Sequence, residues 1–146
     1  MTLVADTGAL YALYDADDKH HLAVRGVVQR HQGPIVVPLP VVAELDYFLV
    51  RYLGTRAALD FLESVGAGAF SLDYMTPLDF ERIVELVERY TDLELGFVDA
   101  SVLTVAERLR TSTILTLDLR DFRAVGRHKH GPLTLLPADR ASIGES

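Results

Sequence analysis

The chain has 146 residues, 49% of them hydrophobic and 24% charged, with a net charge of −7 from 14 basic and 21 acidic side chains. That length and apolar content fit one domain with one sizeable core and exclude a disordered chain. The absence of cysteine excludes disulfides, thiolate zinc sites and a cysteine nucleophile, and the negative charge argues against a simple basic-groove nucleic-acid binder, though not against a nucleic-acid enzyme whose acids hold a metal.

In chain order, residues 2–5 read as a short buried strand, followed by a helix from Thr7 to Tyr14 that ends at the polar run Asp15 to Lys19. A second helix covers His21 to His31, with Leu22, Val24, Val27 and Val28 on its apolar side. Gly33-Pro34 turns the chain, Ile35-Val36-Val37 is a second buried strand, and Pro38 and Pro40 bracket the next helix start. That helix, residues 40–53, has a 3.6-residue period. Val41, Leu45, Phe48 and Tyr52 form one stripe, with Glu44 inside it and Asp46 directed away. Gly54 stops it and Thr55 caps the next, whose inward residues are Ala58, Leu59, Leu62 and Val65.

Residues 69–72 form a short strand. Thr76-Pro77-Leu78-Asp79 then combines a cap, a proline at the first helical position and a capping-box acid. The buried face of that helix is Ile83, Leu86, Val87 and Tyr90, and Glu85 and Arg89 are an i,i+4 pair. Val98 to Leu109 is a further amphipathic helix, with Val102, Val105, Ala106 and Leu109 inward. Residues 113–117 are a strand, 118–122 a turn and 133–136 the last strand. Continuous apolar strands separated by helices predict an α/β sandwich with a largely parallel sheet. The expected organisation is one domain over residues 1–136 and a short, fraying tail over 137–146. The amino-terminal residues lack the basic flank and long apolar stretch of a signal peptide, and no apolar run nears the roughly 20 residues that span a bilayer. A cytoplasmic location without membrane contact is expected.

Four carboxylates stand where apolar segments end or carry a buried face: Asp6 after Leu3–Ala5, Glu44 within Val41–Leu45, Asp99 after Gly96–Val98, and Asp118 after Ile114–Leu117. An ionised carboxylate taken out of water costs several kcal/mol unless it is compensated. In open α/β sheets ligands bind beyond the carboxyl ends of the strands, where Asp6 and Asp118 fall and where helix starts bring Glu44 and Asp99. Oxygen ligands without sulfur select Mg²⁺ or Mn²⁺ over zinc. Each acid also has a plainer reading. Asp6 suits a helix cap, Asp99 a first-turn acid that complements the helix dipole, and Asp118 an Asx turn, with Asp121 sharing its claim. Glu44 has only a buried pair with a distant arginine as its alternative. Four coincidences are needed for the plainer readings to hold together, and the cluster is preferred.

His20-His21 and His128-x-His130 lie in polar segments and read as solvated. Arg120, Arg123, Arg127 and Lys129 form a stretch without acids between Asp121 and Asp139, either a positive patch beside Asp118 that positions phosphates or a solvated loop. No GxSxG, P-loop or GxGxxG occurs.

The ordered segments Leu3-Val4-Ala5-Asp6-Thr7-Gly8-Ala9-Leu10, Val42-Ala43-Glu44-Leu45, Leu95-Gly96-Phe97-Val98-Asp99-Ala100-Ser101 and Thr116-Leu117-Asp118-Leu119-Arg120-Asp121-Phe122 resemble the PIN-domain ribonucleases, specifically the VapC toxin branch of bacterial type II toxin–antitoxin systems. The resemblance covers roughly residues 2–136. It implies a PIN-like three-layer sandwich with about five mostly parallel strands, a homodimer, Mg²⁺-dependent RNA cleavage with Mn²⁺ as a substitute, and a cognate VapB-like antitoxin that blocks the active site. By position, Asp6 and Asp99 match the principal metal ligands. Glu44 and Asp118 complete the quartet at a second site or through water, with Asp121 as the alternate fourth acid. Thr7 matches a hydroxyl beside the first acid. The resemblance leaves one alternative, a non-catalytic PIN-fold module that binds RNA or protein, which has no reason to keep four mutually repelling acids. A phosphatase with Asp6 as nucleophile lacks the second Asp two residues on, where Gly8 stands.

Overall fold

The computed structural model describes residues 1–139, and the last seven residues of the expected tail lie outside it. In chain order the elements are β1 (Leu3–Ala5), α1 (Thr7–Tyr14), α2 (His21–Arg30), β2 (Ile35–Pro38), α3 (Leu39–Tyr52), α4 (Thr55–Gly66), β3 (Ser71–Asp73), α5 (Pro77–Arg89), α6 (Phe97–Arg108), β4 (Thr113–Leu115), α7 (Leu119–Val125), β5 (Arg127–His128), β6 (Gly131–Pro132) and β7 (Thr134–Leu136). Five strands form one sheet in the order β3-β2-β1-β4-β7, and every pairing in it is parallel. Every residue of β1, β2 and β4 is buried, as strands covered by helices on both faces must be.

The order of connection places the site. From β1 the chain steps outward through β2 to β3, then returns through α5 and α6 to place β4 on the other side of β1. The direction of winding therefore reverses between β1 and β4, which opens a crevice at their carboxyl ends. The crevice is tied by backbone pairing that continues past the strands: Asp6 N–H donates to Leu115 O at 2.8 Å, and Thr116 N–H donates to Leu136 O at 3.0 Å.

α6 is the central helix. Ala100 to Glu107 are all buried, because the helix lies against β1, β2 and β4 and is covered by α5. An amphipathic stripe is therefore too narrow a description, and Leu109, expected inward, is exposed just past its end. α3 also differs from expectation. Its buried line is Val41, Leu45 and Leu49, a pure i,i+4 run, while Tyr52 is exposed and Phe48 half-buried. Glu44 thus sits at the edge of the buried line and not within it. On α4 the buried residues are Ala58 and Phe61, whereas Leu59 and Leu62 face outward.

Asp79 does cap α5, accepting the Thr76 N–H at 3.0 Å. Glu85 pairs with Arg82 and not with Arg89. Residues 118–122 are no isolated turn but the start of α7, whose Phe122 and Val125 are buried. The start of the tail is held: Asp139 N–H donates to Leu135 O, its carboxylate accepts the Leu135 N–H at 2.8 Å, and Arg123 forms an ion pair with it. No described helix is long and apolar enough to cross a membrane.

Candidate active site

Asp6 follows β1 directly and is 5% exposed. As the N-cap residue of α1 it makes no side-chain cap bond, so its carboxylate is not there to cap. Its Oδ2 accepts instead from Thr116 Oγ1 at 2.9 Å, and the same Thr116 oxygen accepts the Asp118 N–H at 3.0 Å. One fully buried hydroxyl thereby couples the acid after β1 to the acid after β4. Asp118 does cap α7: its Oδ1 accepts the Asp121 N–H at 3.2 Å. Asp99 enters from the first turn of α6. Carboxylate oxygens of Asp99, Asp118 and Asp121 all lie within 4.8 Å of one another.

Glu44 stands across from this group, half-buried on α3. With Phe48, Gly96, Phe97, Val98 and Asp99 it lines a cleft of about 420 Å³. The structure therefore brings all five sequence-marked acids to one edge of the sheet, with Asp118 and Asp121 both beside Asp99. None of the five forms an ion pair with a basic side chain among the described residues.

The electrostatic result is large. Burial pushes the Asp6 carboxyl up to about 6, with the nearby Asp118 and Glu44 charges adding to the effect against hydrogen bonds from the Thr7 backbone and the Thr116 side chain. Asp99 is pushed up to about 8, by burial first and then by the charges of Asp6 and Asp118. Two buried polar atoms nearby have no partner, Thr7 Oγ1 and Asp121 Oδ1. Mutually repelling acids with spare oxygens are what a bound cation would relieve.

The basic stretch divides. Arg120 is exposed on α7 beside the acids, and Arg123, on the same helix, is engaged with Asp139. Arg127 and Lys129 are carried elsewhere by the small β5–β6 hairpin, where the Lys129 N–H donates to Glu107 at the far end of α6. Two of the five histidines are engaged by backbone carbonyls. His128 is buried with Nε2 on Thr111 O at 2.6 Å, and half-buried His21 places Nδ1 on Ala12 O at 2.8 Å, near the end of α1. Thr116 is the residue of this cluster that sequence reasoning passes over. Its signal is a hydroxyl inside the otherwise apolar run Ile114-Leu115-Thr116-Leu117.

A sequence model of the PIN domain matches residues 3–128. Ribonuclease VapC26 of Mycobacterium tuberculosis (strain ATCC 25618 / H37Rv) is 36% identical over 135 residues, which span 92% of this chain and 100% of the relative. Among solved structures, M. tuberculosis VapC20, described as a sarcin-ricin loop cleaving toxin, superposes with a TM-score of 0.79 at 24% identity, covering 89% of this chain and 99% of that one. A toxin–antitoxin complex from Klebsiella pneumoniae gives 0.68 at 18% identity, covering 84% and 92%.

Proposed function

The chain belongs to the PIN domain family, and on that premise we propose that it is a VapC-type ribonuclease, the toxin of a toxin–antitoxin pair, which hydrolyses RNA phosphodiesters at the carboxylate cleft. The observation that carries this reading is the convergence of five acids at the β1–β4 switch point with no basic partner among the described residues. A structural role would have paired them, as the fold does elsewhere with Asp79 and Arg108.

The donor set fits a hard divalent cation, Mg²⁺ or Mn²⁺, because every donor is oxygen and the chain has no cysteine. In this reading Asp99 is the shared ligand, lying with Asp118 and Asp121 and coupled electrostatically to Asp6, while Glu44 closes the opposite wall. Such an ion, when bound, supplies Lewis-acid polarisation of the phosphodiester and a water-derived nucleophile near neutral pH. The chain's own residues do the rest. Thr116 holds Asp6 and Asp118 in fixed relation, and Asp99 would release the proton it retains near neutrality when a cation binds. Thr7 Oγ1, buried and unpartnered beside Asp6, is available to orient a ligand in the cleft.

Partners follow from the same surface. The acidic cleft suits a basic side chain of an antitoxin, and exposed apolar residues on α3 and α5 (Tyr47, Val50, Leu78, Phe80 and Val84) give an antitoxin or a second copy of the chain a surface to cover. The test is cleavage of total RNA and of a sarcin-ricin hairpin, with end-group analysis. Mg²⁺-dependent products carrying 5′-phosphate and 3′-hydroxyl ends, lost with EDTA and with Asp99→Asn, are expected. EDTA-resistant cutting that leaves 2′,3′-cyclic phosphates would overturn the reading. RNA binding without cutting would leave the non-catalytic module.

A further inference from the structure

Beyond the carboxylates, the C-terminal half of α6 borders a cavity of about 300 Å³, and a second cavity of about 230 Å³ shares Arg82 and Lys129 with it as a common wall. Thr104, Arg110 and His130 help to line the larger, and Arg89, Tyr90 and Arg127 the smaller. The acids that face them are already engaged. Glu107 is held by Arg82 at 2.9 Å with Lys129 at 3.9 Å, Glu85 also pairs with Arg82, and Asp79 pairs with Arg108 at 3.0 Å. Arg89, Arg110 and Arg127 remain without an ion pair among the described residues, in a chain whose net charge is −7.

A separate observation points to a ligand. Thr104, on the wall of the larger cavity, is 3% exposed, and its Oγ1 has no hydrogen-bond partner. Arg110 follows α6 in the left-handed backbone region, φ +56°, where glycine is the usual residue because a side chain there is strained. The hairpin that carries Arg127 and Lys129 is anchored: His128 Nε2 meets Thr111 O, and Thr111 Oγ1 donates to Thr2 O at 2.6 Å, at the start of β1.

We propose that this paired cavity is an anion site that grips phosphates of the RNA strand away from the scissile bond. It rests on the RNA-cutting reading for its ligand and for nothing else. At 1.5 Å per residue, Glu107 lies about 12 Å along α6 from Asp99, roughly three to four phosphates of a stacked strand. Phosphates fit because unpaired guanidinium groups bind them bidentately and the buried Thr104 hydroxyl adds a donor. The site also answers a difficulty of charge, since the cleft itself repels the polyanion it must cut.

The test measures binding of a long single-stranded RNA to the Asp99→Asn protein in EDTA, so that it does not depend on cutting. Adding Arg89→Glu with Arg127→Glu should weaken binding by about tenfold or more and reduce the slope of log Kd against log salt by roughly 1.4, about 0.7 for each phosphate that is no longer neutralised. Arg25→Glu with Arg30→Glu on α2 changes net charge equally and should leave the slope unchanged. Equal losses from the two pairs, or none from either, would overturn the proposal. So would inorganic phosphate that perturbs the cavity residues by NMR while the first pair leaves RNA affinity intact. Arg89→Gln with Arg127→Gln repeats the reading should the glutamates unfold the chain. A protein that binds RNA through these arginines yet cuts nothing would refute the ribonuclease reading and leave the phosphate site standing.

Discussion

At the scale of single residues, the acids of this chain sort by what stands next to them. Burial opposes ionisation of Asp79 and Glu107, yet Arg108 and Arg82 hold both below the ordinary carboxylate range. Asp6 and Asp99 have no such partner and move the other way. The consequence for stability has a definite sign. Folded Asp99 keeps its proton to about pH 8, whereas the unfolded chain loses it near 4. Between these values the folded state binds more protons, so metal-free stability falls as pH rises. Melting in EDTA should therefore be lower at about pH 8.5 than at about pH 5.5. Asp99→Asn should flatten that dependence and gain on the order of 2 kcal/mol at the higher pH. A variant that loses stability at both pH values would mark Asp99 as a helix-start acid. Thr116→Val, nearly isosteric, leaves the Asp118 N–H and the Asp6 carboxylate without their shared partner. It should cost about 1–3 kcal/mol in chemical denaturation and reduce cleavage roughly tenfold. Unchanged cleavage would reduce the hydroxyl to a structural role.

At the scale of elements, Asp118 has two duties that substitution separates. It caps α7, and it stands among the cleft acids. Asp118→Asn keeps an oxygen for the Asp121 N–H, so stability should stay within about 0.5 kcal/mol while cleavage is lost; Asp118→Ala should lose about 1 kcal/mol more. Full activity in the Asn variant would make Asp118 a cap alone. The strands of the central sheet and most helices are legible in the sequence because the core is built from short apolar runs separated by strong start signals, Thr76-Pro77-Leu78-Asp79 the clearest among them. α7 is not legible as a helix. It has only seven residues and interleaves Arg120 and Arg123 with its two buried positions. The β5–β6 hairpin has no apolar alternation to announce it, and its buried member is a histidine. On α3 the eye joins aromatic residues into a stripe, while packing selects Val41, Leu45 and Leu49. For the candidate site the marginal acids are visible as chemistry out of place, but Thr116 is not, because a threonine in a strand carries no electrostatic penalty.

At the scale of the whole molecule, topology and charge act together. Reversal of winding between β1 and β4 opens the crevice, and the starts of α6 and α7 deliver acids into it. Unpaired cations gather around the two cavities outside that crevice, so the chain's net negative charge hides a polarised distribution. In the proposed arrangement a polyanion is gripped at those cavities and cut in the crevice. Whether the convergent acids hold a cation is decided by thermal denaturation with and without Mn²⁺ or Mg²⁺ near pH 7.5. Millimolar metal should raise the melting temperature of the wild-type chain by several degrees, about 2.7 kcal/mol at a hundredfold excess over Kd, and leave Asp99→Asn unmoved. A wild-type chain whose melting temperature ignores the metal would contradict the cation site.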